Sequence, residues 1–195
     1  MNTVEIATHL QTILQRPQFL NGTIAGAEVP YFICPYAAAE HTHMAAVPQR
    51  LVTFLAQHHI KAKAFDLFAL CIEIFRAQGY WDEILLQETQ LPKDALGSTL
   101  TSLLGNGEQI ITLINAQIAD DVPQMIFLHN VGSCYPFLRA HALLNHLYAL
   151  RDRIPVVLFF PGSYARTPQN SMALNLFGSL HDNHYYRALN ILTVK

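Results

Sequence analysis

The sequence predicts an α/β fold: a mostly parallel sheet with helices on both faces, carried in one domain over residues 1–195. Three observations predict it. Runs such as Val156 to Phe160 are continuously β-branched and aromatic, as in strands buried on both faces. Between such runs, apolar residues recur three and four apart, as on amphipathic helices. The stretch from Gln124 to Tyr164 holds a strand, a tight polar turn, a helix, a second strand and another turn, which reads as a right-handed βαβ unit.

Taken in order, Val4, Ala7, Leu10, Ile13 and Leu14 form one helical stripe that Pro17 ends. Gly22 and Gly26 bracket a turn, and Val29 to Ile33 is a first buried strand. A loop over Pro35 to Val47 follows, then a helix opened by Pro48 with Leu51, Val52 and Leu55 inward and His58 and His59 at its negative end. Ala62 to Phe65 is a second strand. Asp66 is placed to cap the next helix, which carries Leu67, Leu70, Cys71, Ile74 and Phe75 and stops at Gly79. Trp81 to Ala119 is helical throughout, broken at Pro92 and at Gly105–Gly107, and is expected to form a helical insertion of two or three helices.

Met125 to Leu128 is the strand that stops at His129, Asn130 and Gly132, and Pro136 is expected in the first turn of the helix after it. Beyond the strand at Val156, Pro161 to Asn170 reads as loop, a candidate lid or docking loop. Leu174 to Leu180 is short and apolar, helix or strand, and Tyr185 to Val194 is a closing strand. Pro35 to Met44, His129 to Cys134 and Pro161 to Arg166 each follow a strand. They should meet at the carboxyl edge of the sheet, where such folds bind ligands.

Composition bounds the function. With 51% hydrophobic and 13% charged residues, the chain holds a real core and has apolar surface available for a partner. A net charge of −2 without any Lys/Arg run argues against a dedicated nucleic-acid binder. The Met1 end lacks the marks of a secretory leader, and no stretch is long and apolar enough for a bilayer. Cys34, Cys71 and Cys134 form neither a disulfide framework nor a C-x-x-C pair, which fits a reducing cytoplasm.

The blocks EVPYFICPY, FLHNVGSCYPFLRAHALLNHL, PVVLFFPGSY, LFGSL and HYYRALNIL resemble, in the same order, BrxB, the B component of bacteriophage-exclusion (BREX) systems. The resemblance runs from about Glu28 to the end, and YPFLRAHALL and YYRALNIL are its most specific parts. It implies a cytoplasmic bacterial antiphage-defence protein. Its expected partners are an ATPase (BrxC), an alkaline-phosphatase-like protein (PglZ) and a methyltransferase (PglX). It brings no catalytic residues with it. Where the family's turn after the first strand is more acidic, this chain has Ala37, Ala38 and Ala39, with Glu40 the sole carboxylate.

The element order and the defence context imply a core resembling that of P-loop NTPases. The G-x-x-x-x-G-K-[ST] motif is missing, so no nucleotide cofactor is expected. Glu40, His41 and His43, joined at the sheet edge by His129, are candidate ligands for zinc or manganese, against the plainer reading as surface histidines. Cys134, with His129 or His141 as base, fails the nucleophile-elbow pattern and reads as a buried thiol.

Arg139, in the first turns of its helix, opposes the dipole and should have a partner. That partner is either Asp120, Asp121 or Asp182, or an anion from another molecule. Candidates for partner or anion binding are therefore Arg139, His129, Asn130, Ser133, His141, Tyr164, Arg166 and Arg187. Phe75, Tyr80 and Trp81 cluster at a helix junction, as core or as interface anchors. The favoured function is a non-catalytic adaptor in a BREX assembly. The rivals are a metal-dependent phosphohydrolase or nuclease using His41, His43 and His129, and a subunit whose Arg139, Arg166 and Arg187 contact nucleic-acid phosphates.

Overall fold

A computed structural model of the chain describes residues 1–24, 29–150, 154–166, 172–182 and 188–194. Parallel strands lie in the order β2 (Ala62–Asp66), β3 (Met125–His129), β4 (Val156–Arg166), β1 (Tyr31–Tyr36), β7 (Leu189–Asn190). Side chains alternate across this sheet and are apolar on both faces. Phe32, Cys34, Tyr36, Met125, Phe127, Val157 and Phe159 join one core, while Ile33, Ile126, Leu128, Val156, Leu158 and Phe160 join the other. That double burial is why these strands read as continuous apolar runs.

One face is covered by α1 (Thr3–Leu14), α2 (Pro17–Leu20) and α4 (Val47–Gln57), through Ile6, Leu10, Phe19, Leu51 and Leu55. Asn2 and Glu5 close a reciprocal capping box at the start of α1. The other face is covered by α5 (Leu67–Ala77), α8 (Glu108–Ile118) and α9 (Ala140–His146). The stretch expected to be helical throughout forms three helices: α6 (Trp81–Glu88), α7 (Lys93–Leu103) and α8. On α8, Ile110, Ile111, Ile114 and Ile118 pack into the same core as the sheet.

Several expectations shift. β1 runs on to Tyr36 through Pro35, because β7 pairs only with Phe32 and Ile33 and leaves that side of the strand open where no N–H is offered. The loop after it folds into a 3₁₀ turn (Ala38–Glu40) and the short α3 (His41–Met44).

The helix after β3 begins at Ala140, not at Pro136. Val131–Cys134 is a 3₁₀ turn, and Tyr135 is extended, as a residue before proline prefers.

Pro161 to Arg166 is not a loop. β4 continues through Gly162 and pairs antiparallel with β5 (Met172–Leu176), which pairs with β6 (Leu180–Asp182). Leu174 to Leu180 is thus a strand, a turn with Phe177 and Gly178 at positive φ, and the first residue of β6. Of the closing strand, the described residues 188–194 hold only β7, followed by a 3₁₀ turn whose Leu192 N–H donates to the Asn190 side chain. Tyr185, Tyr186, Arg187 and positions 167–170 lie outside the described residues.

Candidate functional site

The connection after β1 leads to the α4 face, whereas those after β3 and β4 lead to the opposite face. The crevice where neighbouring connections diverge is where open α/β sheets place their ligands. A small cavity of about 100 Å³ opens there, lined by Tyr36, His41, Met44, Ala45, Asp66, His129, Asn130 and Phe159. Two of the three segments expected at this edge line it. The third, after β4, packs close by, since a Cβ on Gly132 would lie 2.8 Å from the Pro161 ring.

Asp66 is the hub. Its Oδ1 accepts the Ala69 N–H at 3.0 Å, capping α5 as expected. The Asn130 amide donates to both Asp66 oxygens, at 3.1 and 3.2 Å. Asn130 can reach back because its backbone is left-handed (φ 63°), a conformation asparagine tolerates. Ser133 Oγ in turn donates to Asn130 Oδ1 at 2.6 Å. His129 Nδ1 lies 3.9 Å from Asp66 Oδ2. Burial lowers the pKa of His129 below the ordinary histidine range, and the nearby Asp66 carboxylate opposes that shift. Across the cavity, the buried Tyr36 hydroxyl is 3.0 Å from His41 Nδ1. Burial first, and Cys34 second, push the Tyr36 pKa up, so the phenol stays protonated. The arrangement holds a carboxylate and two imidazoles at the switch point, with Asp66 already hydrogen-bonded to the two turns it joins.

The four expected metal ligands do not converge. Glu40 accepts from Thr3 Oγ1 at 2.6 Å, and His43 is exposed. His41 and His43 sit on a helix rather than in the expected loop, so their side chains diverge by about 200°. Among the described residues, no group of three or more His, Cys, Asp or Glu is placed to hold one ion.

Cys134 is fully buried, with Sγ donating to the Asn130 carbonyl at 3.6 Å. Hydrogen bonding with Cys71, followed by burial, pushes its thiol pKa far up. A protonated, enclosed thiol is no nucleophile. All three cysteines are free and buried.

Arg139 lies elsewhere. Extended rather than helical, it precedes α9, is exposed, and lines two cavities. The larger, about 430 Å³, lies between α7 and residues 136–142 and also takes in Asp94, Thr101, Asn106 and His141. The smaller, about 190 Å³, lies against the β5–β6 hairpin. Arg139 has no ion pair among the described residues. Asp121, one of its expected partners, bonds Lys61 instead and lies 3.9 Å from Lys63. Tyr164 is buried and donates to the Ala188 carbonyl at 2.7 Å, which fixes the start of β7 rather than offering a surface group. The side chains of Arg166 and Asp182, and all of Arg187, lie outside the described residues.

The structure therefore brings His129, Asn130 and Ser133 together with His41 and places Arg139 and His141 in another region. It adds Asp66 and Tyr36, which sequence reasoning missed. Asp66 carried a usable signal, being a polar residue that ends one strand and caps the helix after it.

One surface feature stands out. Of the eleven exposed large hydrophobic side chains among the described residues, four fall between Tyr80 and Leu91. These are Tyr80 at 43%, Leu85 at 46%, Leu86 at 67% and Leu91 at 37% exposure, on and around α6. Beside them Trp81 is half-buried beneath the Arg76 guanidinium, 5.2 Å from its ring centre.

Comparison with known proteins bears on these features. A family model described as BREX protein BrxB matches residues 63–191. A BREX protein BrxB of Bacillus cereus (strain H3081.97) is 28% identical over 174 residues, covering 86% of this chain and 85% of the relative. A BREX protein BrxB of Escherichia coli O9:H4 (strain HS) is 23% identical over 185 residues, covering 95% of this chain and 89% of the relative. No solved structure matches the chain.

Proposed function

The chain belongs to the BrxB family of BREX proteins, and from that membership we propose that it is a non-catalytic adaptor, binding other proteins of an antiphage-defence assembly. The observation that carries this reading is the exposed apolar stretch at α6. Soluble domains seldom leave adjacent leucines such as Leu85 and Leu86 in water without a partner to cover them. The partner is the ATPase (BrxC) or the phosphatase-like component (PglZ) of the system, with the methyltransferase (PglX) more distant.

The strand order supports a core related to that of P-loop NTPases, since β1 sits between β4 and β7 while β2 lies at the far edge. Where such a core needs glycines and a lysine after β1, this chain has Ala37, Ala38 and Ala39. On this reading the phosphate-binding turn has been given up and the scaffold kept. A phosphohydrolase using His41, His43 and His129 would need those rings to share an ion, which the turned-away His43 does not support.

Affinity purification of the tagged protein from its host tests the proposal. A stoichiometric complex with the ATPase or the phosphatase-like component is expected. Leu85→Asp with Leu86→Asp should abolish it while leaving thermal unfolding unchanged. Recovery of the wild-type protein alone and monodisperse overturns the adaptor.

A further inference from the structure

The cavity of about 190 Å³ between the β5–β6 hairpin and the segment preceding α9 joins two features that a folded core does not itself require together. Its floor is apolar: Leu138, Phe160 and Leu174 are almost wholly buried, and Leu176 is half-buried beside them. Its polar lining is Tyr135, Arg139 and Ser179, all exposed, and among the described residues no acidic side chain lines it. Asp94, the acidic residue of the adjoining cavity, is not within ion-pair distance of Arg139.

The volume lies below the roughly 300–1,000 Å³ of small-molecule sites and suits a single aliphatic side chain. A guanidinium fork is shaped for bidentate pairing with a carboxylate. The complementary occupant therefore joins an aliphatic group to a carboxylate within one small cavity. An internal leucine carries no carboxylate, and an internal aspartate or glutamate carries no branched aliphatic group to fill the leucine floor. The last residue of a polypeptide has both, on one Cα.

We infer that this cavity receives the C-terminal residue of a partner protein, its aliphatic side chain on the leucine floor and its α-carboxylate on Arg139. The inference rests on the adaptor reading and deepens it: α6 supplies contact area, and the cavity supplies selection for a free chain end.

The test uses the full-length protein, followed by amide NMR, with N-acetyl-leucine and N-acetyl-leucinamide as probes. N-acetyl-leucine should shift the signals of Leu138 to Ala140 and Leu174 to Leu180. The amide should need about tenfold or more higher concentration, having lost a charge-assisted bond. Arg139→Gln should erase that preference and Arg139→Lys should keep part of it, with unfolding temperatures matched. Equal response to the two probes, or shifts confined to other residues, overturns the inference.

Purification from the host separates this result from the adaptor reading. A complex lost when a tag is fused to the partner's carboxyl terminus, and lost in Arg139→Gln, supports the cavity. A complex indifferent to both, yet abolished at Leu85 and Leu86, leaves the adaptor standing and removes the cavity from it. N-acetyl-leucine binding with no complex recovered turns the site over to a free aliphatic acid and overturns the protein partner.

Discussion

His129 illustrates how a single side chain responds to its place at the sheet edge. Burial disfavours its cation in the folded protein, and the nearby Asp66 carboxylate recovers only part of that loss. The unfolded chain therefore takes up the proton first as pH falls, so protonation favours unfolding. Stability is expected to decline as pH drops below 6.5, the ordinary histidine value, toward the lower folded value. His129→Gln should flatten that part of the profile, measured by urea midpoints across the acid range; an unchanged profile would place the loss in other histidines. At this scale the sequence was partly legible. Asp66 was readable as a helix cap, because a cap is a local device. Its bond to Asn130, 64 residues further on, was not, because the two meet only through strand pairing. Arg139 was expected to oppose a helix dipole, yet it sits before the helix, since residues 135–138 turn and bend and Arg139 itself is extended as the N-cap of α9.

β4 shows why punctuation by proline and glycine misleads at the scale of an element. Pro161 and Gly162 look like the start of a loop, yet the strand passes through both and carries the hairpin on its far half. Pro161 is tolerated because β3 pairs with β4 only as far as Leu158. Gly162 is needed because a Cβ there would stand 2.1 Å from the Asn175 carbonyl oxygen, closer than any packing permits. Gly162→Ala should cost about 1–3 kcal/mol, within the usual range for such a clash. It should also strip hydrogen-exchange protection from the amides of Ala173 to Leu176 while leaving β3 protected. Uniform loss across both sheets would mean that the hairpin is not a separable unit. The histidine loop failed for a related reason. Short helices such as α3 have too few residues for periodicity to reveal them, so the stretch expected as a loop over Pro35 to Val47 holds a helical turn that sets His41 and His43 apart.

Across the whole molecule, the fold class was legible because double burial writes itself into composition: strands covered on both faces have no polar positions to alternate with. Phe127 lies fully buried in the core beneath α1 and α4, edge-on to Phe159 at 6.0 Å between ring centres. Phe127→Ala should cost about 3–5 kcal/mol by chemical denaturation, a large share of the stability of a domain this size. A cost near 1 kcal/mol would mean that the core collapses to fill the space. The order of the strands was not legible, since local pattern says which segments pair but not with which partner. That order also governs how the protein comes off the ribosome. Tyr31 of β1 pairs with Val156 of β4, 125 positions later, and the other side of β1 waits for Leu189. At about 5–20 residues per second, the central strand stays unpaired and apolar for at least ~6–25 s of translation. The first strand to be made is among the last to be completed, so its apolar faces and open edge stay exposed to wrong pairing until β4 has emerged.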